Sequence, residues 1–220
     1  MAAKASSGYS KYLLVLVLFL SVWYALDKIS HRFWVFDQHK LHQIASEVIA
    51  LPHNSTAAMI SELSHRLAAE YPKHINLKQE WVFNNAGGAM GAMYILHASI
   101  TEYLIIFGTP VGTEGHTGRH MADDYFIILQ GEQWAFTPGQ LEKEVYRPGH
   151  MHHLVRGDAQ QYKIPDSGAW ALEYARGWIP AMLPFGLADC FFSTLDLNVV
   201  WDTFRITGKR ILYSLSVGKF

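Results

Sequence analysis

Two glutamates lie inside apolar runs that resemble buried strands, and their carboxylates are the first candidates for chemistry. Glu102 falls within SITEYLIIF and Glu173 within WALEYARG. A buried carboxylate is costly unless it is paired, hydrogen-bonded or protonated, so each of them needs an explanation. An apolar pocket raises the pKa of an acid, and a second acid nearby, Asp123 or Asp124, would let two carboxyl groups share one proton. The pattern therefore raises an acid–base couple as one interpretation.

A purely structural interpretation of these carboxylates stays open at this point. Glu102 can accept hydrogen bonds from backbone amides or a hydroxyl group, and Glu173 can pair with Arg176 or Arg119. In that case the two acids would stabilise strands and do no chemistry.

Metal binding is a further alternative, raised by the run HMHH at residues 150–153. Alternate residues of a strand share a face, so His150 and His152 could form a metal-binding pair. No carboxylate follows within the next four positions, and a third ligand would have to come from far away. We therefore predict no metal site and interpret these histidines as hydrogen-bonded or surface side chains.

The composition indicates one compact, unusually apolar domain. Of the 220 residues, 50% are hydrophobic and only 17% are charged, whereas about 25% are charged in an ordinary soluble domain. This composition excludes a disordered chain. The net charge of −1 provides no field that would attract nucleic-acid phosphates, so we expect no nucleic-acid partner. The single cysteine, Cys190, excludes an internal disulfide.

An uncharged run from Tyr12 to Leu26 predicts an uncleaved N-terminal membrane anchor. The run is short for a hydrocarbon core of roughly 30 Å, so a span also needs the residues upstream, with Lys11 reaching toward the surface. A cleaved signal peptide is the alternative, but bulky Trp23 and Tyr24 stand where a cleavage site needs small residues. Flanking charges leave the orientation open, and Asn54 begins a glycosylation sequon that matters only on a lumenal side.

The elements that would position the two acids form a helical segment followed by strands. Asp37, and Ser55 or Thr56, are predicted N-caps of two helices that end before Pro52 and Pro72. Short apolar runs between turn signals then predict strands, although Ala86–Met93 also suits a helix. This spacing favours a small barrel or sandwich that encloses one ligand. The predicted strands are Ile95–Phe107, Tyr125–Leu129, Glu144–Tyr146, Gln160–Ile164 and Trp170–Tyr174.

The stretch after Gly177 has helical periodicity and a wide apolar arc. Asp189, Asp196 and Asp202 interrupt the arc too often for a second span. We expect these helices to lie in a membrane interface or to roof a cavity, with an ordinary core helix as the alternative. The chain thus divides into an anchor (1–30), a helical segment packed on the barrel (31–78), a β-barrel core (79–177) and C-terminal helices (178–220).

Five segments of the chain resemble the fungal C-8 sterol isomerases, whose family also includes the animal sigma non-opioid receptor. The resemblance covers nearly the whole length and is nearer to the enzymes, particularly in FNNAGGAMG, TEGHTG and ADDYF. It implies a mainly β fold with flanking helices: a cupin-like barrel, one membrane helix and two amphipathic helices on the endoplasmic-reticulum membrane. It also implies homo-oligomers, trimeric in the receptor. The segments are Glu80–Gly91, Ile95–Thr109, Gly112–Phe126, Ala171–Pro180 and Leu183–Leu197.

The same resemblance implies the site residues. One pocket acid of the receptor matches Glu173, but the other matches Phe126 here, so the second acid must come from Asp124 or Asp123. Asp124 is preferred because it shares a strand face with Phe126 unless a bulge intervenes. Tyr103 matches a tyrosine that bonds the equivalent of Glu173, while Glu102 matches an acid whose role looks structural. The residues implied to contact substrate are Tyr103, Glu102, Ser99, His97, His116, Phe107, Phe126 and Trp134.

The implied reaction moves a sterol double bond from the 8(9) to the 7(8) position, with no cofactor and no metal. A carboxylic acid protonates a ring carbon, and loss of a proton from C7 completes the shift. Expected partners are the sterol, membrane lipid, further copies of the chain and cationic amphiphilic amines that would inhibit by mimicking the carbocation. The main alternative is a receptor that binds ligands without catalysis, and a metal-binding barrel is the weaker one.

Overall fold

The computed structural model describes residues 3–220, with side chains from Tyr9 onward. The predicted anchor, residues 1–30, therefore begins with two residues that lie outside the described part. Helix α1 (Ala3–Ile29) continues into a 3-10 turn, Ser30–Phe33. Within the described residues, one helix, Tyr9–Phe33, is long and apolar enough to cross a membrane. Its apolar side chains are exposed along nearly its whole length.

Helices α2 (Gln38–Ile49) and α3 (Thr56–Glu70) confirm the predicted caps. The Asp37 side chain accepts a hydrogen bond from the Lys40 amide at 2.8 Å, and the Ser55 hydroxyl accepts one from the Ala58 amide at 3.2 Å. These bonds satisfy amide groups that have no partner within the first helical turn. The apolar faces of both helices pack on one side of a large sheet.

Ten strands form two antiparallel sheets. The larger sheet has the order β1-β2-β3-β10-β5-β8 and the smaller one β4-β9-β6-β7. Strand β10 lies in the middle of the larger sheet, hydrogen-bonded to β3 on one side and to β5 on the other. The strands are β1 (Trp81–Ala86), β2 (Ala89–Ala98), β3 (Glu102–Thr109), β4 (Thr113–His116), β5 (Ala122–Gly131), β6 (Gln133–Phe136), β7 (Glu144–Tyr146), β8 (Met151–Leu154), β9 (Gln161–Ile164) and β10 (Ala169–Gly177).

This architecture confirms a mainly β fold with flanking helices and corrects three details. The apolar run Ile95–Phe107 is two strands, because the chain turns at residues 99–101. Segment Ala86–Met93 is a hairpin, in which Gly87 and Gly88 both have positive φ, as a two-residue turn between antiparallel strands requires. The hydrogen-bonded ladders of the described strands form two separate sheets, not one closed barrel.

Two apolar layers lie on the two faces of the larger sheet. One layer is formed with α2 and α3 and contains Tyr94, Leu104 and Tyr174. The other layer faces the smaller sheet and contains Ile105, Phe126 and Ile164. Because neighbouring residues of a strand point to opposite faces, strands β2, β3, β5 and β10 each contribute to both layers.

Helices α4 (Leu183–Phe192) and α5 (Leu197–Ser216) close one end of the space between the sheets. Asp189 on α4 accepts a hydrogen bond from the Gly88 amide at 2.8 Å, which ties α4 to the β1–β2 hairpin. The outer surfaces of these helices carry large exposed apolar side chains, including Phe192, Leu197, Trp201 and Leu212.

Candidate active site

A cavity lies between the two sheets under α4 and α5. The space between the sheets, counted together with its open mouth, is about 1150 Å³. Apolar and aromatic side chains form most of the wall, among them Met93, Phe107, Phe126 and Leu183. Such a wall suits a largely hydrophobic ligand.

Two carboxylates face this cavity from neighbouring strands. Glu173 on β10 pairs with Phe126 on β5, and Asp124 lies two residues earlier on β5, on the same face. Such diagonal neighbours lie roughly 7–8 Å apart in an antiparallel sheet, within reach of a shared ligand. The bulge in this strand pair is opposite Trp170 and Ala171, so it leaves the alternation from Asp124 to Phe126 intact.

Burial raises the pKa of both acids. Removal from water is the largest cause for each of them, because a low-dielectric wall disfavours the charged form. The pKa of Asp124 rises from 3.8 to about 7, and the pKa of Glu173 rises well above 4.5, with the charge of Asp124 as its second cause. The surface that these acids expose faces the cavity. Burial thus favours the protonated form of both acids, and the charge of Asp124 favours it further for Glu173.

Neither arginine proposed as a structural partner reaches Glu173. Arg176 donates hydrogen bonds to Gln38 and Tyr125, both at 2.6 Å, while Arg119 donates to the Gly157 carbonyl. Asp124 Oδ1 is buried without a hydrogen-bond partner among the described residues. The backbone of Tyr125 lowers the pKa of Asp124 by a hydrogen bond, but this effect is smaller than that of burial.

Asp123 points away from the cavity. Its Oδ1 accepts hydrogen bonds from His153 Nε2 at 3.1 Å and from the Arg156 amide at 3.2 Å, on the outer face of β5. Among the two candidates for the second acid, the structure brings Asp124 to Glu173 and separates Asp123 from it.

Four of the residues expected to contact substrate line the cavity: Tyr103, Phe107, His116 and Phe126. The Tyr103 hydroxyl, however, is placed 3.4 Å from Met93 Sδ, so the bond to Glu173 that the family resemblance implies is not formed in this geometry. Burial raises the pKa of Tyr103, with Glu173 as the second cause, which places the phenol close to that acid.

The other four lie off the cavity wall, and strand geometry explains each one. Glu102 precedes Tyr103 on β3, so it points to the opposite face, and Ser99 closes the turn that leads into that strand. A bulge between Ile95 and His97 turns His97 toward Phe36 and His74, and its Nδ1 donates to the His74 carbonyl at 2.9 Å. Trp134 alternates outward on β6 and contacts the Lys143 ammonium group.

Glu102 forms a buried ion pair in place of a substrate contact. Its carboxylate accepts hydrogen bonds from the Val35 and Phe36 amides at 2.7 and 3.0 Å and from the Tyr174 hydroxyl at 2.6 Å. Lys219 Nζ lies 2.7 Å away, and both charged side chains are almost completely buried. This network joins strand β3 to the segment after the anchor and to the residues that follow α5.

The histidines at 150–153 have separate surroundings. His152 stacks on Tyr146 and hydrogen-bonds Gln160 at 2.7 Å, while His153 contacts Asp123. Within residues 3–220, no group of three or more histidine, cysteine, aspartate or glutamate side chains could hold a metal ion.

Several cavity residues escaped the sequence analysis. Gln133, Tyr162, Thr203 and Thr207 contribute polar atoms to the wall. Gln133 and Tyr162 belong to the smaller sheet, of which β6 and β9 have only four residues each and offer little periodic signal. Spacing along α5 could have found the two threonines, which lie four residues apart on one face.

Comparison with known proteins gives consistent results. The model of the family described as ERG2 and Sigma1 receptor like protein matches residues 13–219. The C-8 sterol isomerase ERG2 of Gibberella zeae is 53% identical, over 99% of this chain and 94% of that protein. The sigma non-opioid intracellular receptor 1 of Taricha granulosa is 34% identical, over 96% and 91%. An RmlC-like cupin from Shewanella frigidimarina is similar at 15% identity and a TM-score of 0.38, covering 46% of this chain and 85% of that one, too distant to carry an argument.

Proposed function

The chain belongs to the family of ERG2 and Sigma1 receptor like proteins, and we propose that it is a sterol C-8 isomerase whose acid–base couple is Glu173 and Asp124. The observation that carries this proposal is the presence of two carboxyl groups with raised pKa on one wall of an apolar cavity. The high identity to a C-8 sterol isomerase supports the same reaction, and the receptor relatives are more distant.

In this proposal Glu173 is the proton donor. An alkene is a very weak base, so the donor must be protonated at neutral pH and the cavity must exclude water. Transfer of the Glu173 proton to C9 of an 8(9)-unsaturated sterol would leave a carbocation at C8 and a carboxylate on Glu173. The new carboxylate and the faces of Tyr103, Phe107 and Phe126 would stabilise that positive charge.

Asp124 is the proposed base. Ionised Asp124 would remove a proton from C7, the C7–H electron pair would form the 7(8) double bond, and Asp124 would end protonated. Passage of that proton back to Glu173 across the shared cavity resets the pair. The cycle balances without an oxidant, a reductant or a cofactor.

We also propose that the protein acts at the endoplasmic-reticulum membrane. The exposed apolar helix at residues 9–33 and the exposed apolar side chains of α4 and α5 support membrane association. The cavity, which those helices cover at one end, would then receive sterol from the lipid. Assembly into homo-oligomers, inhibition by cationic amines and the division at residues 30, 78 and 177 belong to the same proposal.

The sterol composition of cells tests the reaction. A strain that lacks this protein should accumulate 8(9)-unsaturated sterols, and restoring the wild-type chain should clear them. Restoring the Glu173→Gln variant at equal protein level should not clear them, while restoring Asp123→Asn should. A strain without accumulation, or one cleared equally well by Glu173→Gln, would contradict the isomerase and leave the binding receptor as the explanation.

A further inference from the structure

Gln133 presents an unusual polar group to the cavity. It is the first residue of β6, only 3% exposed, and its side chain lines the wall opposite the larger sheet. Its Oε1 is buried without a hydrogen-bond partner among the described residues. An unpaired buried carbonyl oxygen destabilises the folded state, and such a group in a native protein calls for an explanation such as a bound ligand.

Among the residues that the structure describes, the cavity wall contains one other neutral oxygen without a hydrogen-bond partner, on Thr207. Unlike Gln133, Thr207 can form a hydrogen bond within its own helix. Thr207 Oγ1 is also buried without a partner, but Thr207 lies within α5. A threonine hydroxyl in a helix can rotate to bond the carbonyl four residues earlier. The Gln133 amide has two different ends, and exchanging them by a flip replaces an unpaired acceptor with an unpaired donor. The Gln133 amide therefore needs a hydrogen-bond partner that is not part of the cavity wall, such as a bound ligand.

The position of Gln133 relative to the acids is set by strand register. Tyr162 on β9 pairs with Ala135 and lines the same cavity as Glu173 and Asp124. Gln133 lies two residues from Ala135 on the same face of β6, about 7 Å further along the strand. A flat ring system held between the sheets would therefore lie between the two acids on the larger sheet and Gln133 on the smaller one.

We propose that Gln133 binds the ring-A hydroxyl group of the substrate and so sets the register of the sterol over Glu173 and Asp124. This inference rests on the proposed function and deepens it. A sterol has one polar group, its 3-hydroxyl, separated from the C8–C9 bond by little more than one ring. That hydroxyl donates to an amide oxygen and accepts from an amide nitrogen, so either orientation of Gln133 pairs with it.

The test compares an 8(9)-unsaturated 3-hydroxysterol with its 3-deoxy analogue as substrates of the purified full-length protein. For the wild type, kcat/KM should favour the hydroxysterol by on the order of 10- to 100-fold, because the analogue leaves the amide unpaired. In Gln133→Met, and in Gln133→Leu as a second variant, this ratio should fall toward one. Both variants should also have a higher Tm without ligand, since an unpaired buried oxygen is removed.

Thr207→Val is the matched control, because it removes the other unpaired oxygen at constant shape, and it should keep the preference for the hydroxysterol. A wild-type protein that turns over both sterols equally would overturn the role of Gln133 while leaving the isomerase intact. Loss of the preference for the hydroxysterol in Thr207→Val but not in Gln133→Met would also overturn the role of Gln133 and leave the isomerase intact. If no isomerisation is seen, competitive binding of the two sterols still decides the question, independently of the reaction.

Discussion

Glu102 and Glu173 are the same residue type in adjacent strands of one sheet, yet they lie on opposite faces and have opposite surroundings. Glu102 accepts bonds from two backbone amides, a tyrosine hydroxyl and the Lys219 ammonium group. Glu173 faces a cavity wall where the nearest charge is another carboxylate, which raises its pKa further. Burial alone therefore does not distinguish a structural acid from a reactive one, whereas the partners do.

The difference also concerns free energy. A buried ion pair with its hydrogen bonds satisfied holds segments together, and loss of one partner leaves an uncompensated charge. An acid without partners destabilises the folded protein and is retained for chemistry. Replacing each glutamate by the isosteric glutamine should therefore affect different quantities in the two regions.

The largest effect is expected for Glu173→Gln. The variant keeps the shape of the side chain but has no proton to donate, so the isomerisation rate should fall by at least roughly 10²–10⁴-fold. The protein should fold, with an unchanged or higher Tm, because a poorly solvated acid is removed. Turnover per folded molecule and thermal unfolding on one preparation check both statements. A well-folded, fully active variant would falsify the proposed donor.

Glu102→Gln should reverse this pattern. Lys219 would be left buried without a counter-charge, and the free energy of unfolding should decrease by about 3–5 kcal/mol. Activity per folded molecule should stay near the wild-type value. The double variant Glu102→Gln with Lys219→Met is the control, since it removes both charges and should recover part of the stability. Chemical unfolding measures all three proteins, and a double variant no more stable than the single one contradicts the ion-pair explanation.

Asp124→Asn sharpens the comparison through pH. The pKa of Asp124 is raised from 3.8 to about 7 in the folded protein, so folding favours the protonated form. That contribution is complete below pH 3.8 and is lost as the pH rises toward 7. The wild type should lose stability between about pH 4 and 7, whereas Asp124→Asn should not. The variant should therefore become more stable than the wild type by about 1–4 kcal/mol over that range, since one pKa unit corresponds to about 1.4 kcal/mol. Above pH 7 the difference in stability should stay constant. Unfolding at pH 4 and pH 8 tests the sign, and a gain at pH 4 only would contradict it.

The smallest effect is expected for Asp123→Asn, the neighbour on the outer face. Its partners, His153 and the Arg156 amide, are partly exposed, so stability should change by less than about 1 kcal/mol. Sterol turnover should stay near the wild-type rate. If Asp123→Asn instead reduces turnover as strongly as Asp124→Asn, the assignment of the two acids to opposite faces is wrong.

The alternation of residues along the strands was the most informative pattern in the sequence. It also shows what the sequence cannot predict, namely the positions of bulges. It predicted Asp124 on the face of Phe126, and both line the cavity because the bulge in that strand pair lies further along. Alternation from Ile95 would also bring His97 to the cavity, but the bulge in β2 reverses it. Lys219 lies 118 residues from Thr101, which directly precedes Glu102 in the chain. At this separation no local sequence pattern could identify Lys219 as the ion-pair partner of Glu102. No sequence pattern identifies Gln133, because the proposed role rests on a side-chain oxygen without a hydrogen-bond partner, which only the structure can show.

The network around Glu102 has a consequence for how the chain is made. During synthesis β3 emerges from the ribosome long before Lys219, so the Glu102 carboxylate has no counter-charge until nearly all 220 residues have been made. The Val35 and Phe36 amides are available early, but the larger sheet cannot bury this acid at low cost until the end of α5 arrives. We therefore expect the larger sheet to pack stably only once α4 and α5, which cover the cavity, have also been synthesised.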